Sequence, residues 1–347
     1  MDKQLLLDLT KAELSEELKG MKQPAFRGEQ ILGGLYQHHY QSFSEFSNLP
    51  NTLKAELEAR FLIDPIKSYT SITSQDKRTT KYLFEVLEGN RIETVLMKYS
   101  DRNTVCISSQ VGCPLGCVFC ATGQMGFTRS LSAGEIIAQV LFVMRALEAR
   151  GESLSNVVFM GMGEPFLNYV AVMRSVENLT DPEQLNFGAR RITISTVGII
   201  PKIKAFTALN SQVNLAVSLH AADNELRSQL VPANNLHPLK PLIAACRDYV
   251  DATHRRITFE YALIDGINDS DNQAKQLISL IKGMLCHVNL IALNPSKEYA
   301  MPGSSRERVD AFAKVLSDYG IPNSIRLRRG IDISAGCGQL AQSQQSK

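Results

Sequence analysis

Four of the chain's seven cysteines fall within fifteen residues, in CISSQVGCPLGCVFC, Cys106 to Cys120. Three of them, Cys113, Cys117 and Cys120, follow a C-x3-C-x2-C spacing. Thiols this close together suit three competing chemistries. A structural zinc site closes with four ligands, commonly as two separated pairs, yet the next Cys or His after Cys120 is His220. A disulfide sits poorly with an odd cysteine count and a reducing compartment. An iron–sulfur cluster normally takes four thiolates, so a loop offering three leaves one iron open to a small chelating ligand. Two further cysteines stand outside the loop: Cys106, seven residues upstream, and Cys337, in SAGCGQLA near the C-terminus and 231 residues away. Cys246 and Cys286, in helical and helix-end contexts, read as ordinary buried thiols.

These residues need elements to hold them. From about residue 100 onward, apolar β-type runs alternate with amphipathic helical ones. The strands are NTVCISS, NVVFMGMG, RITISTV, NLAVSLH, ITFEYALI and HVNLIAL, with helices such as AGEIIAQVLFVMRALEAR and LKPLIAACRDYV between them. Six β-then-α repeats predict a parallel sheet with helices outside it, as an open or partial barrel. SIRLRRG offers one more strand. In such folds chemistry collects at the carboxyl ends of the strands. Cys106, Gly161 to Glu164, Ser195 and Thr196, Ser218 and His220, and Asn294 all fall there. His220, alone at a strand end, reads as a positioning residue, and Glu93 as an exposed strand carboxylate.

Before this core, residues 1–62 read as a small helical module, with Thr10 and Glu13 forming a capping box. Residues 63–98 read as a β-hairpin extension, TTKYLFEVLEGNRIETVLMKY turning at Glu-Gly-Asn. The core runs over 99–340, and 341–347 is a polar tail expected to be disordered. Hydrophobic content of 44% and a net charge of only +2 describe an ordinary globular chain. Any nucleic-acid surface must therefore come from local basic groups: Lys77, Arg78 and Lys81; Arg190 and Arg191; Arg255 and Arg256; Arg326, Arg328 and Arg329. The N-terminus is amphipathic and acidic, unlike a signal peptide, and no run reaches membrane-span length. The expectation is a cytoplasmic protein with no membrane partner.

The C-x3-C-x2-C spacing, with Phe119 inside its last pair and a strand before it, resembles the signature of the radical S-adenosylmethionine (SAM) superfamily. MGMGEP after the second strand resembles that superfamily's Gly-Gly-Glu element. More narrowly, SSQVGCPLGCVFCATGQMGF, FMGMGEP, RRITISTVGIIP, LAVSLHA and SAGCGQLA resemble, in order and over nearly the whole chain, the RlmN/Cfr family of RNA adenosine methyltransferases. The resemblance implies an α/β fold: a partial (β/α)6 barrel with a helical N-terminal domain and a short β extension. It implies one 4Fe-4S cluster on Cys113, Cys117 and Cys120. SAM, two molecules per turnover, is implied to contact Gly163, Glu164, Ser195, Ser218, Leu219, His220 and Asn294.

The same resemblance makes Cys106 and Cys337 a catalytic pair and Glu93 a proton acceptor. Adenine's C2 and C8 are not nucleophiles, so direct methylation from SAM fails. In the implied scheme the Cys337 thiolate first takes a methyl group from one SAM. A deoxyadenosyl radical from a second SAM removes hydrogen from that methyl, and the carbon radical adds to the ring. Loss of a ring proton and attack by Cys106 on the Cys337 sulfur release methylated RNA and leave a disulfide, which cellular thiols reset. The implied substrates are 23S rRNA and some tRNAs, with C2 favoured and C8, the Cfr product, as the alternative. LTDPEQLNFGARRITISTVGIIP looks more Cfr-like, whereas SSQVGC and SLHAADNE look closer to RlmN. A flavodoxin or ferredoxin is the implied electron donor. Two other readings stand beside this one: a methylthiotransferase, which needs a second cysteine-bound cluster, and a non-catalytic iron–sulfur RNA-binding module.

Overall fold

A computed structural model of the chain describes residues 3–294, 301–326, 329–336 and 338–340. Cys337, Arg328 and the polar tail lie outside the described residues. The helical module begins with β1 (Gln4–Leu5) and continues through α1 (Lys11–Gly20), α2 (Phe26–Leu32) and α3 (Asn51–Arg60). It closes where β2 (Phe61–Leu62) pairs in parallel with β1. Thr10 caps α1 and Glu13 bonds back to it, as the spacing requires. Helix α2 ends at Leu32, and the chain continues as a π-helical turn over Gly33–Gln37.

Three antiparallel strands follow: β3 (Lys67–Thr73), β4 (Thr79–Glu85) and β5 (Arg91–Lys98). The sequence predicts the last two. β3 escapes because six of its seven residues are exposed and only Ile72 is half-buried, so it has no apolar alternation to read. As the sheet's edge it carries Lys67 and a register shift between Ser68 and Thr70, both of which discourage pairing with other chains.

β5 then pairs antiparallel with β6 (Asn103–Ile107), the first barrel strand. A small hairpin, β7 (Gln110–Gly112) with β8 (Phe127–Ser130), brackets the helical turn α4 (Ala121–Gln124). Helices and parallel strands alternate from there: α5 (Ala133–Glu148), β9 (Asn156–Phe159), α6 (Tyr169–Thr180), β10 (Ile192–Thr196), α7 (Ile200–Ala208), β11 (Asn214–Ser218), α8 (Asn224–Leu230), α9 (Leu239–Thr253), β12 (Ile257–Leu263), α10 (Asp271–Ile281), β13 (Cys286–Ala292), α11 (Arg306–Asp318) and β14 (Asn323–Ile325). Cys286 opens β13 rather than ending a helix, because its backbone is already in register with Ile257. The ten-stranded sheet runs β14-β13-β12-β11-β10-β9-β6-β5-β4-β3, parallel from β14 to β6. Its six β/α units form the partial barrel, with the antiparallel extension continuing one edge.

α5 shows why the helices stay outside the sheet. Ser132 and Glu135 form a capping box at its start. Ile136, Ile137, Val140, Leu141, Val143 and Leu147 are all buried, each contributing about 1.5–3 kcal/mol relative to exposure. The helical module docks on this same helix. Asp8 Oδ1 accepts from Gly134 N at its first turn, 2.7 Å away, and His39 Nδ1 lies 3.1 Å from Glu148 Oε2 at its last. Among the described residues no helix is long and apolar enough to cross a membrane.

Candidate functional site

The three-cysteine loop is pinched at its neck. Gly112 has φ +76, and a Cβ there would lie 2.0 Å from Gly126 O, so only glycine lets β7 and β8 meet. Cys113 N donates to the same Gly126 oxygen at 2.8 Å. Within the loop Cys120 N and the Gln124 side-chain amide both donate to Cys117 O. Cys117 and Phe119 pack into an apolar cluster with Leu230, which ends α8, and with Val231 and Ala233 beyond it, and Val118 N donates to Leu230 O at 3.2 Å.

All three cysteines line one cavity. Burial pushes the Cys113 thiol up to about 12 and raises Cys117 further, with neighbouring thiols adding to the rise. Thiols raised in this way become thiolates together only with a strong cation among them. Among the described residues no three or more His, Cys, Asp or Glu side chains converge closely enough to hold a single metal ion. That argues against a mononuclear site. A cubane asks for something different: each thiolate meets a different iron, so the thiols must surround a cavity rather than converge on a point. Three around one cavity, with no fourth thiol lining it among the described residues, fit a 4Fe-4S cluster with an open position.

The strand ends complete the wall. Gly163 has φ +95, and a Cβ there would lie 2.5 Å from Gln110, so the turn after β9 folds tightly against the hairpin strand. It delivers Glu164 into the cavity wall. Glu164 Oε1 accepts from Phe166 N and Oε2 from Val197 N, both at 2.9 Å. Burial outweighs those bonds and moves its carboxyl up to about 7. Ser195 and Ser218, on adjacent strands β10 and β11, hold their hydroxyl oxygens 3.4 Å apart.

His220 lies just past β11, its ring edge-on to Phe119. Its Nδ1 is 3.0 Å from Ala262 N, a backbone donor. Burial pushes its pKa down to about 3, so the ring is neutral with its proton on Nε2. Leu219 differs from its neighbours. It does not line the cavity, and its side chain is buried in the apolar core while its N–H and carbonyl bond Glu260 O and Arg227 Nε. Glu260 and Arg326, which sequence reasoning missed, do line the cavity. A carboxylate inside the otherwise apolar ITFEYAL is the signal that was there to read. Glu260 accepts from Asn289 at 2.8 Å, and burial raises its pKa.

A second cavity holds Cys106, with Val95, Met97, Tyr99 and Gly336 among its lining residues. Met160, Ile291, Asn294 and Arg326 line both cavities and form a common wall. Cys337 lies outside the described residues, but its chain neighbours are described. Gly336 lines the Cys106 cavity and Gly338 lines the three-cysteine cavity. Hydrogen bonds tie this last segment down directly behind Cys120: Ala121 N donates to Gly338 O at 2.7 Å, and Thr122 Oγ1 to Leu340 O at 2.6 Å.

Sheet register places Glu93. Lys81 and Cys106 both pair with Val95, so all three point to one face of the sheet, and Glu93, two residues before Val95, shares that face. Far from being exposed, Glu93 is buried and lines neither cavity. It lies 3.0 Å from Lys81 Nζ, itself buried, which also donates to Ser334 O at 3.2 Å. Removing either charge leaves the other bare in the core, so the pair fixes both side chains. Cys246 and Cys286 are buried in the apolar core, away from both cavities.

Two family models match the chain: the radical SAM superfamily over residues 107–278, and the ribosomal RNA large subunit methyltransferase N-terminal domain over 5–63. A probable dual-specificity RNA methyltransferase RlmN of Geobacillus kaustophilus is 46% identical, over 96% of this chain and 92% of that one. Its namesake from Clostridium botulinum strain Okra is 43% identical over 99% of both. Among solved structures, a radical SAM methyltransferase from Sphaerobacter thermophilus superposes with a TM-score of 0.96 at 50% identity, over 98% of this chain and all of the other.

Proposed function

This chain belongs to the RlmN family of radical SAM RNA methyltransferases, and from that premise we propose that it methylates C2 of an adenosine in 23S rRNA and in tRNA. The observation that carries the reading is the common wall: a three-thiol cavity and a Cys106 cavity touch, with one glycine neighbour of Cys337 lining each. A methylthiotransferase would need a second cluster, and the spare cysteines, Cys246 and Cys286, are packed in the core. A non-catalytic module would have no use for the two joined cavities.

Cys113, Cys117 and Cys120 hold the 4Fe-4S cluster in this proposal. When bound, the cluster and SAM supply one-electron cleavage chemistry able to activate an inert C–H bond. The chain's own residues do the rest. Glu164 offers its carboxylate to the SAM ammonium. Ser195, Ser218 and Asn294 give polar contacts from three strand ends, with Gly163 contributing backbone. Neutral His220 offers an Nε2 proton donor. Cys337 carries the methyl group between SAM and adenine. Glu93, buried against Lys81 on the sheet face that carries Cys106, is the residue the resemblance assigns to the proton lost from the ring carbon. Cys106 then bonds the Cys337 sulfur as the bond from that sulfur to the product carbon breaks; that carbon takes up a proton to complete the methyl group, the unpaired electron returns to the acceptor the donor had reduced, and external thiols reduce the disulfide. A reduced flavodoxin or ferredoxin supplies the electron, and the reaction runs in the cytoplasm. The helical module, matched by an rRNA methyltransferase domain model, contributes to RNA binding.

Digestion of RNA from cells lacking and overproducing the protein tests this directly. Mass spectrometry should find 2-methyladenosine rising with the protein in 23S rRNA and tRNA. 8-Methyladenosine in its place would establish the Cfr-type reaction, and no change in either would defeat the activity.

Glu164 adds a pH dependence. Burial holds its carboxyl neutral up to about pH 7, while an unfolded glutamate ionises near 4.5. Its contribution to stability is therefore fully present below the ordinary carboxylate range and is lost as pH rises through about 7. Pairing with the SAM ammonium requires the ionised form, so binding releases a proton below that point. SAM affinity of reconstituted enzyme should rise up to about tenfold per pH unit below 7 and level off above it. Glu164→Gln should bind weakly with that slope gone. A wild-type affinity flat from pH 5.5 to 8 would remove Glu164 from this role.

A further inference from the structure

Arg227, on α8, is the largest fully buried side chain among the described residues. Its guanidinium makes four hydrogen bonds, all to neutral oxygens. Nε donates to Leu219 O at 3.0 Å, Nη1 to Asn234 Oδ1 at 2.8 Å, and Nη2 to Val197 O at 2.6 Å and Ser218 O at 3.2 Å. Among the described residues no carboxylate reaches it within ion-pair distance. A permanent cation taken out of water without a counter-charge is costly, and proteins rarely keep one without an anion nearby. Two of the oxygens it holds, those of Val197 and Ser218, belong to residues that line the three-cysteine cavity. Cys117 belongs to the three-cysteine loop, which α8 touches through Val118 N and Leu230 O.

We propose that Arg227 is the buried counter-charge of the three-cysteine centre and sets how readily that centre accepts an electron. The inference rests on Cys113, Cys117 and Cys120 being the cluster's ligands. Three thiolates on an oxidised cubane core of charge +2 give a net charge of −1, and one added electron makes it −2. A fixed cation nearby stabilises the second state more than the first, which raises the reduction potential. The electron comes from a low-potential one-electron donor, and no bond forms or breaks in this step. Arg227 touches neither substrate nor reacting atoms, so it is a positioning residue. Its bonds also hold the Val197, Ser218 and Leu219 carbonyls at the ends of β10 and β11, which is the structural role a test must separate from charge.

Asn234 makes that separation possible. Asn234→Asp keeps the side-chain shape and sets a carboxylate against Nη1, cancelling the cation without removing it. Asn234→Ala loses the same bond with no change of charge. Arg227→Met removes the cation, and Arg227→Lys keeps it. Each protein is reconstituted anaerobically, its iron and sulfide are counted, and the midpoint potential is measured by a mediated titration followed by electron paramagnetic resonance.

Asn234→Asp and Arg227→Met should shift the potential to more negative values, while Asn234→Ala and Arg227→Lys stay near wild type. Should Arg227→Met fail to hold a cluster, the Asn234 pair and the lysine variant still decide. An intact cluster in Asn234→Asp at wild-type potential would overturn the proposal, as would an equal shift in Asn234→Ala. A wild type that binds no cubane would instead overturn the ligand assignment beneath it.

Discussion

Cys106→Ala is expected to leave the protein joined to its RNA. Cys106 is the fourth residue of β6, fixed between Val95 of β5 and Val158 of β9 by backbone pairing on both sides. Its side chain lines the cavity that also contains Gly336. A thiol so placed has little freedom to do anything but meet what enters that cavity. As the resolving thiol, its removal spares methyl transfer to Cys337 and addition to the base, and blocks the break that frees the product. Multiple turnover should collapse to about one covalent event per chain, because the carrier is never regenerated. Denaturing electrophoresis of the variant with labelled RNA should show a stable protein–RNA band, and peptide mapping should place the bond at Cys337. Normal turnover by Cys106→Ala would discard the resolving role. The core should stay folded, since one buried sulfur is removed and the strand pairing is untouched.

The second large effect falls on the cluster loop. Alanine at Cys113, Cys117 or Cys120 should each abolish the brown absorbance of reconstituted protein, with iron and sulfide falling towards background. Methyl transfer to RNA should fall with them, to undetectable levels. Cys117 offers the sharpest case. Its carbonyl anchors Cys120 N and Gln124, bonds that alanine keeps. The stability cost is that of one small buried group, about 1–2 kcal/mol, so a folded apoprotein is expected by circular dichroism. Full iron content in all three variants would end the assignment.

Much of the fold was legible because the barrel strands are short apolar runs ending in Gly, Ser, His or Asn, and that punctuation survives in the structure. Ser195, Ser218 and His220 were found by position alone, as residues at the carboxyl ends of parallel strands. Glu93 was not. On a period-two strand a glutamate reads as solvent-facing, and nothing local reveals that Lys81, on the neighbouring strand, pairs with it in the core. Arg227 was invisible for the same reason: NELRSQL reads as a polar surface helix, and only the tertiary fold turns its arginine under the strand ends. Glu260 was legible in principle, since a charge inside ITFEYAL has to be explained, but the explanation needs Asn289 from the next strand. Pairings between strands and helices distant in sequence carry this part of the site.

The bonds from Ala121 and Thr122 to Gly338 and Leu340 fasten residues 338–340 beside the loop that bears Cys120. Loosening α4 would therefore loosen residues 338–340 as well, so two stretches 218 residues apart in sequence hold or yield together.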